Sequence, residues 1–235
     1  MGKLSINKKQ TTAVVIAVLL LALSIAAAIG IKYLGDFEGK KTTDENTSAL
    51  PIPSPADLAA TYGGLSSNAT QQELVTRVGT HLAGSGDVAK LGRSFRFYLL
   101  ADQARNNVFA MPDGSIFITN LLLNHLKTEG QVAALLAREM AHVTARHTPQ
   151  YLVTGILTYS EKEERVADQL AVHTMAQAGY DPRTLNATLG MLGELNAKTP
   201  LEFFATHPGS DGRTDRIDDA IAQQFPNGVP DSLSK

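Results

Sequence analysis

An α+β, mainly helical domain with one small antiparallel sheet, preceded by a single transmembrane helix, is the fold class that this 235-residue chain predicts. Three observations carry it. The stretches Thr128 to His147 and Ser160 to Ala178 repeat apolar residues at three and four positions, the period of an amphipathic helix. Between Phe95 and Thr119 the apolar residues come instead in short runs rich in aromatic and β-branched types, the mark of strands. From Thr11 to Ile31 there is no charged residue, and Ala, Val, Leu and Ile dominate. That meets the roughly 20 apolar residues needed to cross a bilayer core as a helix.

Composition narrows the function classes. A hydrophobic content of 43% supports one sizeable core. Net charge is −2 with the signs intermixed, and no basic cluster is interleaved with aromatics, so the chain gives no reason to expect nucleic acid as a partner. Cysteine is absent, which excludes disulfides, thiolate metal sites, a cysteine nucleophile and a lipid-bearing Cys.

In order along the chain, residues 1–10 read as a short tail and 11–33 as a signal-anchor helix, with Tyr33 at the membrane interface. The competing reading is a cleaved signal peptide cut after Ala26-x-Ala28, although the run is longer than an apolar region of 7–15 residues requires. Lys3, Lys8 and Lys9 precede the span and Lys32, Lys40 and Lys41 follow it, a tie in count. Lys8 and Lys9 lie close to the span on a short tail, which favours a cytoplasmic N-terminus. The domain is then extracytoplasmic, periplasmic in a Gram-negative cell. Residues 34–54 mix charges, Thr, Ser and Pro and read as a linker; a domain at 55–225 and a tail at 226–235 follow.

Inside the domain, Pro55 to Tyr62 and Thr70 to Leu82 have helical spacing, broken at Gly63-Gly64. Phe95–Leu100, Asn107–Met111 and Ser115–Thr119 read as strands, the last two joined by a turn at Asp113-Gly114. Thr128 with Gln131, and Ser160 with Glu163, form capping boxes at two helix starts. The first helix is expected to run to His147, ahead of Pro149. Gly179 suits a left-handed helix end. Asp181-Pro182 opens a helix to about Asn196, Phe203 to Pro208 is loop-like, and Asp211 to Gln224 is a last amphipathic helix. His81 and His125 stand alone on their helices and read as bystanders.

The chemistry centres on Arg138-Glu139-Met140-Ala141-His142. This is one residue from H-E-x-x-H, which sets two zinc-ligating imidazoles one helical turn apart beside a general-base Glu. The missing residue is a ligand. A guanidinium that keeps its proton offers no lone pair to a metal. By itself an R-E-x-x-H is common on solvated helix faces, so the downstream residues decide its meaning. Glu164 and Asp168 lie four apart on the next long helix, and share one face of it.

With these residues the chain resembles the gluzincin zinc metallopeptidases of the HtpX and CAAX prenyl endopeptidase type, which include periplasmic quality-control proteases. The resemblance runs from about Thr70 to Ala222. It rests on Asn107 through Thr119, Glu129 through His147, Tyr159-Ser160 with Glu164 through Asp168, Ala178 through Pro182, and Thr206-His207-Pro208 with Arg213. It implies polypeptide substrates and zinc as cofactor, with His142 and Glu164 as metal ligands, Glu139 as the catalytic base and His207 near the cleft. Asp168 and Arg213 stand behind the ligands. The strand Ser115, Ile116, Phe117, Ile118, Thr119 is implied to bind substrate by adding a strand to the sheet. Two departures qualify this: Arg138 replaces the first zinc His, and the segment between His142 and Glu164 is short for the family.

Without metal, Glu139, Glu164 and Asp168 crowd three carboxylates around one imidazole, which calls for a cation. Arg138 supplies one, shaped for bidentate pairing with Glu164 or Asp168. Three readings follow: an impaired or inactive member of the family, an active metalloendopeptidase of envelope quality control using His142, Glu164 and a substitute ligand such as His207, or a noncatalytic peptide-binding module.

Overall fold

Helix α1 (Pro55–Thr61) begins where Ser54 accepts a hydrogen bond from Asp57 N–H, with Pro55 preset for the first turn. It ends at Gly63 and Gly64, both at positive φ. Helix α2 (Ala69–Ala83) is capped by Asn68 and buries Val75, Val78 and Leu82. A short α3 (Gly86–Lys90) leads to the strands β1 (Arg96–Leu100), β2 (Val108–Ala110) and β3 (Ser115–Thr119). In the computed structural model, residues 51–147, 149–151, 157–209 and 211–233 are described. The anchor at 11–33 and the linker up to residue 50 fall outside them; among the described residues no helix is long and apolar enough to cross a membrane.

The sheet corrects one expectation. Its order is β1-β3-β2, with β3 antiparallel to β2 but parallel to β1, so it is mixed rather than antiparallel. The Asp113-Gly114 turn joins β2 to β3 as expected. Gly114 sits at φ 86°, and a Cβ there would lie 2.2 Å from the Ser94 carbonyl oxygen. What local sequence does not encode is that the chain passes from β1 to the far side of β3 before turning back. All five residues of β3 are buried, which favours the central position with partners on both edges.

Helix α4 (Asn120–His125) follows, capped by the Thr119 hydroxyl. The long helix α5 (Glu129–Thr144) starts at the Thr128–Gln131 capping box and is buried almost continuously from Val132 to Val143. It stops at Thr144, short of the expected His147. Ala145 caps it and Arg146 is left-handed at φ 56°. The His147 N–H then donates back to the His142 carbonyl at 3.0 Å, which tucks the His147 ring under the helix.

A two-stranded antiparallel ribbon, β4 (Gln150–Tyr151) with β5 (Leu157–Thr158), leads into α6 (Glu161–Gln177), which opens at the Ser160–Glu163 capping box. Gly179 takes the left-handed position at its end. Helix α7 (Arg183–Lys198) precedes α8 (Glu202–Thr206), a single turn in the stretch expected to be loop. Five residues are too few to show a helical period, and the fully buried Phe203 anchors them. Helix α9 (Arg213–Gln224) closes the fold, and Phe225 and Val229 beyond it pack partly on the core.

One face of the sheet, through Phe97, Leu99, Ile116 and Ile118, joins Val75, Val78, Leu136 and Met140 of α2 and α5 in the main core. The opposite face carries Phe109 and Phe117 against Leu58, Tyr62 and Leu157. There Tyr98, Phe117, Phe109 and Tyr62 form a row of rings with successive centroids 5.1, 5.2 and 5.2 Å apart.

Candidate active site

Four elements converge on one buried cluster. Helix α5 presents Arg138, Glu139 and His142; α6 presents Glu164 and Asp168; His207 follows α8, and Arg213 opens α9. Each of these seven side-chain positions is buried, with Arg138 and Glu139 at 0% exposure. Burial of so many charges in a small volume is tolerable only if they are paired.

They are paired by a double clamp. Arg138 forms an ion pair through Nη2 with Glu164 Oε2, and its Nε donates to Asp168 Oδ1 at 2.8 Å. Arg213 reaches the same two carboxylates, with Nη2 at 3.3 Å from Glu164 Oε2 and Nε at 3.2 Å from Asp168 Oδ2. Its Nη2 also donates to the Pro208 carbonyl at 2.6 Å, next to His207. Two guanidiniums thus hold two carboxylates, the charge-assisted arrangement that Arg geometry favours.

Glu139 belongs to a second pair. Its Oε1 lies 3.1 Å from His207 Nε2 and 3.9 Å from Arg138 Nη1. The other ring nitrogen of His207 is bracketed by the Phe203 carbonyl at 2.9 Å and the Thr206 hydroxyl at 2.8 Å, whereas Nε2 and both Glu139 oxygens are buried without a hydrogen-bond partner. His142 has Nδ1 3.1 Å from His147 Nδ1 and Nε2 3.5 Å from Glu164 Oε1. The Tyr159 ring stacks on His142 with centroids 3.7 Å apart.

Burial, reinforced by the charge of Arg138, pushes the His142 imidazole well below its ordinary pKa, so it stays neutral. His207 is also pushed down, by burial first, with Glu139 opposing. The Arg213 guanidinium is lowered to about 10 by burial and then by Arg138. Burial raises the Tyr159 phenol.

The structure brings together Arg138, Glu139, His142, Glu164, Asp168, His207 and Arg213, all of the expected ligand, base and supporting positions. It does not leave Ser115–Thr119 open to a substrate strand, and that expectation is corrected: β3 is paired along both edges, to β1 and to β2. The edge nearer the cluster is β2. Here Tyr159 donates its hydroxyl to the Ala110 carbonyl at 3.3 Å. Tyr159 and His147 were not expected to build the site. His81 lies elsewhere, against the Ala178 carbonyl at 2.8 Å.

Zinc in the ligand set implied by the sequence does not fit these residues. The first ligand position holds a fully buried guanidinium, and one oxygen of the third, Glu164 Oε2, is taken by Arg138 and Arg213, while Oε1 and His142 Nε2 are buried without a hydrogen-bond partner. Among the described residues, one other group can hold a metal: Glu139, His142 and His207, whose ligand atoms lie within 4.8 Å of one another. A divalent ion there has Arg138 as neighbour, and repulsion from a guanidinium about 5 Å away is roughly 7 kcal/mol at an effective dielectric of 20.

A helical domain with a small sheet, and an R-E-x-x-H helix facing a Glu-x-x-x-Asp helix, define the metallopeptidase class of fold. The family profile of peptidase family M48 matches residues 69–158 and 148–221, and the chain belongs to that family. It is 27% identical over 143 residues to the mitochondrial metalloendopeptidase OMA1 of Arabidopsis thaliana, covering 49% of this chain and 30% of that protein. It is 28% identical over 153 residues to the protein of the same name from Schizosaccharomyces pombe, covering 50% and 44%. To the beta-barrel assembly-enhancing protease of Yersinia pestis it is 23% identical over 179 residues, covering 59% and 37%. The chain therefore spans less than half the length of each of these relatives. Family membership implies zinc and polypeptide substrates; the cluster around Arg138 is where this chain departs.

Proposed function

We propose that this chain is a membrane-anchored, extracytoplasmic M48 domain that binds polypeptides without hydrolysing them. The single observation that carries this reading is the buried Arg138 guanidinium holding Glu164 and Asp168. Peptide hydrolysis of the family's kind needs a Lewis acid to polarise the carbonyl and a free base to activate water. In this chain a monovalent cation with no open coordination position sits where the ion's first ligand is needed. What remains is the family's peptidase scaffold, with the β2 edge beside the cluster. The uncharged run Thr11–Ile31 supports the anchor and the lysines before it support the orientation. The relatives named as proteases, one of them for β-barrel assembly, favour polypeptides as clients.

A second reading has its own observation, the Glu139, His142 and His207 group. A metal held there would take Glu139 as a ligand, leaving activation of the attacking water to the ion itself. One assay separates the readings: labelled casein is incubated with the purified full chain, with and without chelator, and both cleavage and binding are followed. Binding without turnover, unaffected by chelator, supports the proposal; cleavage that chelator abolishes overturns it in favour of an active metalloendopeptidase.

A further inference from the structure

The outer edge of the sheet beside the charge cluster is closed by a side chain rather than by a strand. In the β2–β3 ladder, Met111 N–H donates to the Ser115 carbonyl and Thr119 N–H to the Asn107 carbonyl. By the alternation of an antiparallel pair, Phe109 also faces β3, and the main-chain groups of Val108 and Ala110 turn outward. Two of those outward groups are met by side chains. Val108 N–H donates to Asn107 Oδ1 at 2.9 Å, and the Ala110 carbonyl accepts from Tyr159 at 3.3 Å.

The opposite edge is closed differently. On β1, the Leu99 carbonyl accepts from Ser66 N–H at 2.8 Å and Ala101 N–H donates to the Gly64 carbonyl at 2.9 Å. The Gln72 side chain adds two bonds, to the Phe97 carbonyl at 2.9 Å and from Leu99 N–H at 2.8 Å. Main chain and a two-handed amide seal β1 as a strand would. On β2 the Ala110 carbonyl is held by one hydroxyl, at the long end of the hydrogen-bond range.

Tyr159 also reaches the cluster. Its ring lies on His142 and its hydroxyl on the sheet edge, so one side chain spans the space between α5 and β2. It is 6% exposed. We propose that Tyr159 is a stopper on the polypeptide-binding edge: its hydroxyl occupies the Ala110 carbonyl that an incoming strand's N–H would use, and docking along β2 requires the ring to turn out. This rests on the polypeptide-binding reading above. The exchange is nearly balanced, because an N–H of the incoming strand replaces the hydroxyl as donor to the same carbonyl. The ring leaves His142 in the process.

The test uses the purified full chain and fluorescein-labelled, reduced and carboxymethylated α-lactalbumin, a permanently unfolded polypeptide, followed by anisotropy. Tyr159→Phe keeps the ring and removes the competing donor. It is expected to tighten binding by about two- to ten-fold, the equivalent of one modest hydrogen bond. Binding equal to or weaker than that of the unmodified chain overturns the stopper while leaving the polypeptide-binding reading intact. Absence of binding by both proteins overturns the two together. A second measurement needs no substitution. Tetranitromethane nitration, resolved by peptide mass spectrometry, is expected to rise several-fold at Tyr159 when the unlabelled polypeptide is added, with buried Tyr180 unchanged. Equal nitration of Tyr159 with polypeptide bound overturns the proposal.

Discussion

At the scale of single residues, one guanidinium decides the chemistry of the cluster. Removing Arg138 leaves Glu164 and Asp168 short of a cation in a buried site, and loss of one partner of a buried ion pair typically costs about 3–5 kcal/mol. Arg138→Met, close in length but neutral, is expected to lower unfolding stability by that amount in urea titration. Arg138→Lys, which keeps the charge without the fork, is expected to fall between Arg138→Met and the unmodified chain; equal stability of all three proteins would show that the clamp is incidental. Much of this is legible in the sequence. The i, i+4 spacing of Glu164 and Asp168 and the acceptor-free chemistry of Arg already call for this pairing. The setting of His207 is not legible, because Phe203, Thr206 and Glu139 come together only through the placement of α8. His147 is hidden for a similar reason: its approach to His142 depends on the left-handed turn at Arg146.

At the scale of elements, the site is held by how closely α2, α5 and α6 pack and how firmly they begin. Gly79 of α2 lies against the Phe97 ring, where an added Cβ would stand 2.5 Å from ring carbons. Gly79→Ala is expected to destabilise by about 1–3 kcal/mol through overpacking, despite the better helix propensity of Ala. A rise in melting temperature would contradict the close helix–sheet contact. Ser160→Ala removes the cap of the helix that carries Glu164 and Asp168, and is expected to cost about 1 kcal/mol in the same titration. Caps and periods are readable from sequence because they are local: both capping boxes and the Gly179 terminus fall where expected. The strand order is not, since the passage of β1 to the far side of β3 is a long-range choice with no local signal. For the same reason the sequence points to β3 as a strand open to substrate, where the fold places it between two partners.

At the scale of the whole molecule, buried neutral imidazoles couple the fold to pH. The folded state holds His142 and His207 below their ordinary values, while the unfolded chain titrates near 6.5. Below that value the unfolded state binds more protons, so stability falls with acidification, by roughly 1.4 kcal/mol per pH unit for each such His. The urea midpoint is expected to drop between pH 7.5 and pH 5.5; a flat profile would mean that these rings accept protons in place. Arg138 stands where the zinc site of the M48 family needs a ligand, and metal content reports on that position directly. Zinc measured by mass spectrometry on the purified full chain, beside Arg138→His, tests the central claim. The account predicts substoichiometric zinc in the unmodified chain, and about one zinc per chain in Arg138→His, where the introduced imidazole completes the ligand set with His142 and Glu164. One tightly held zinc per chain with Arg138 in place would contradict it.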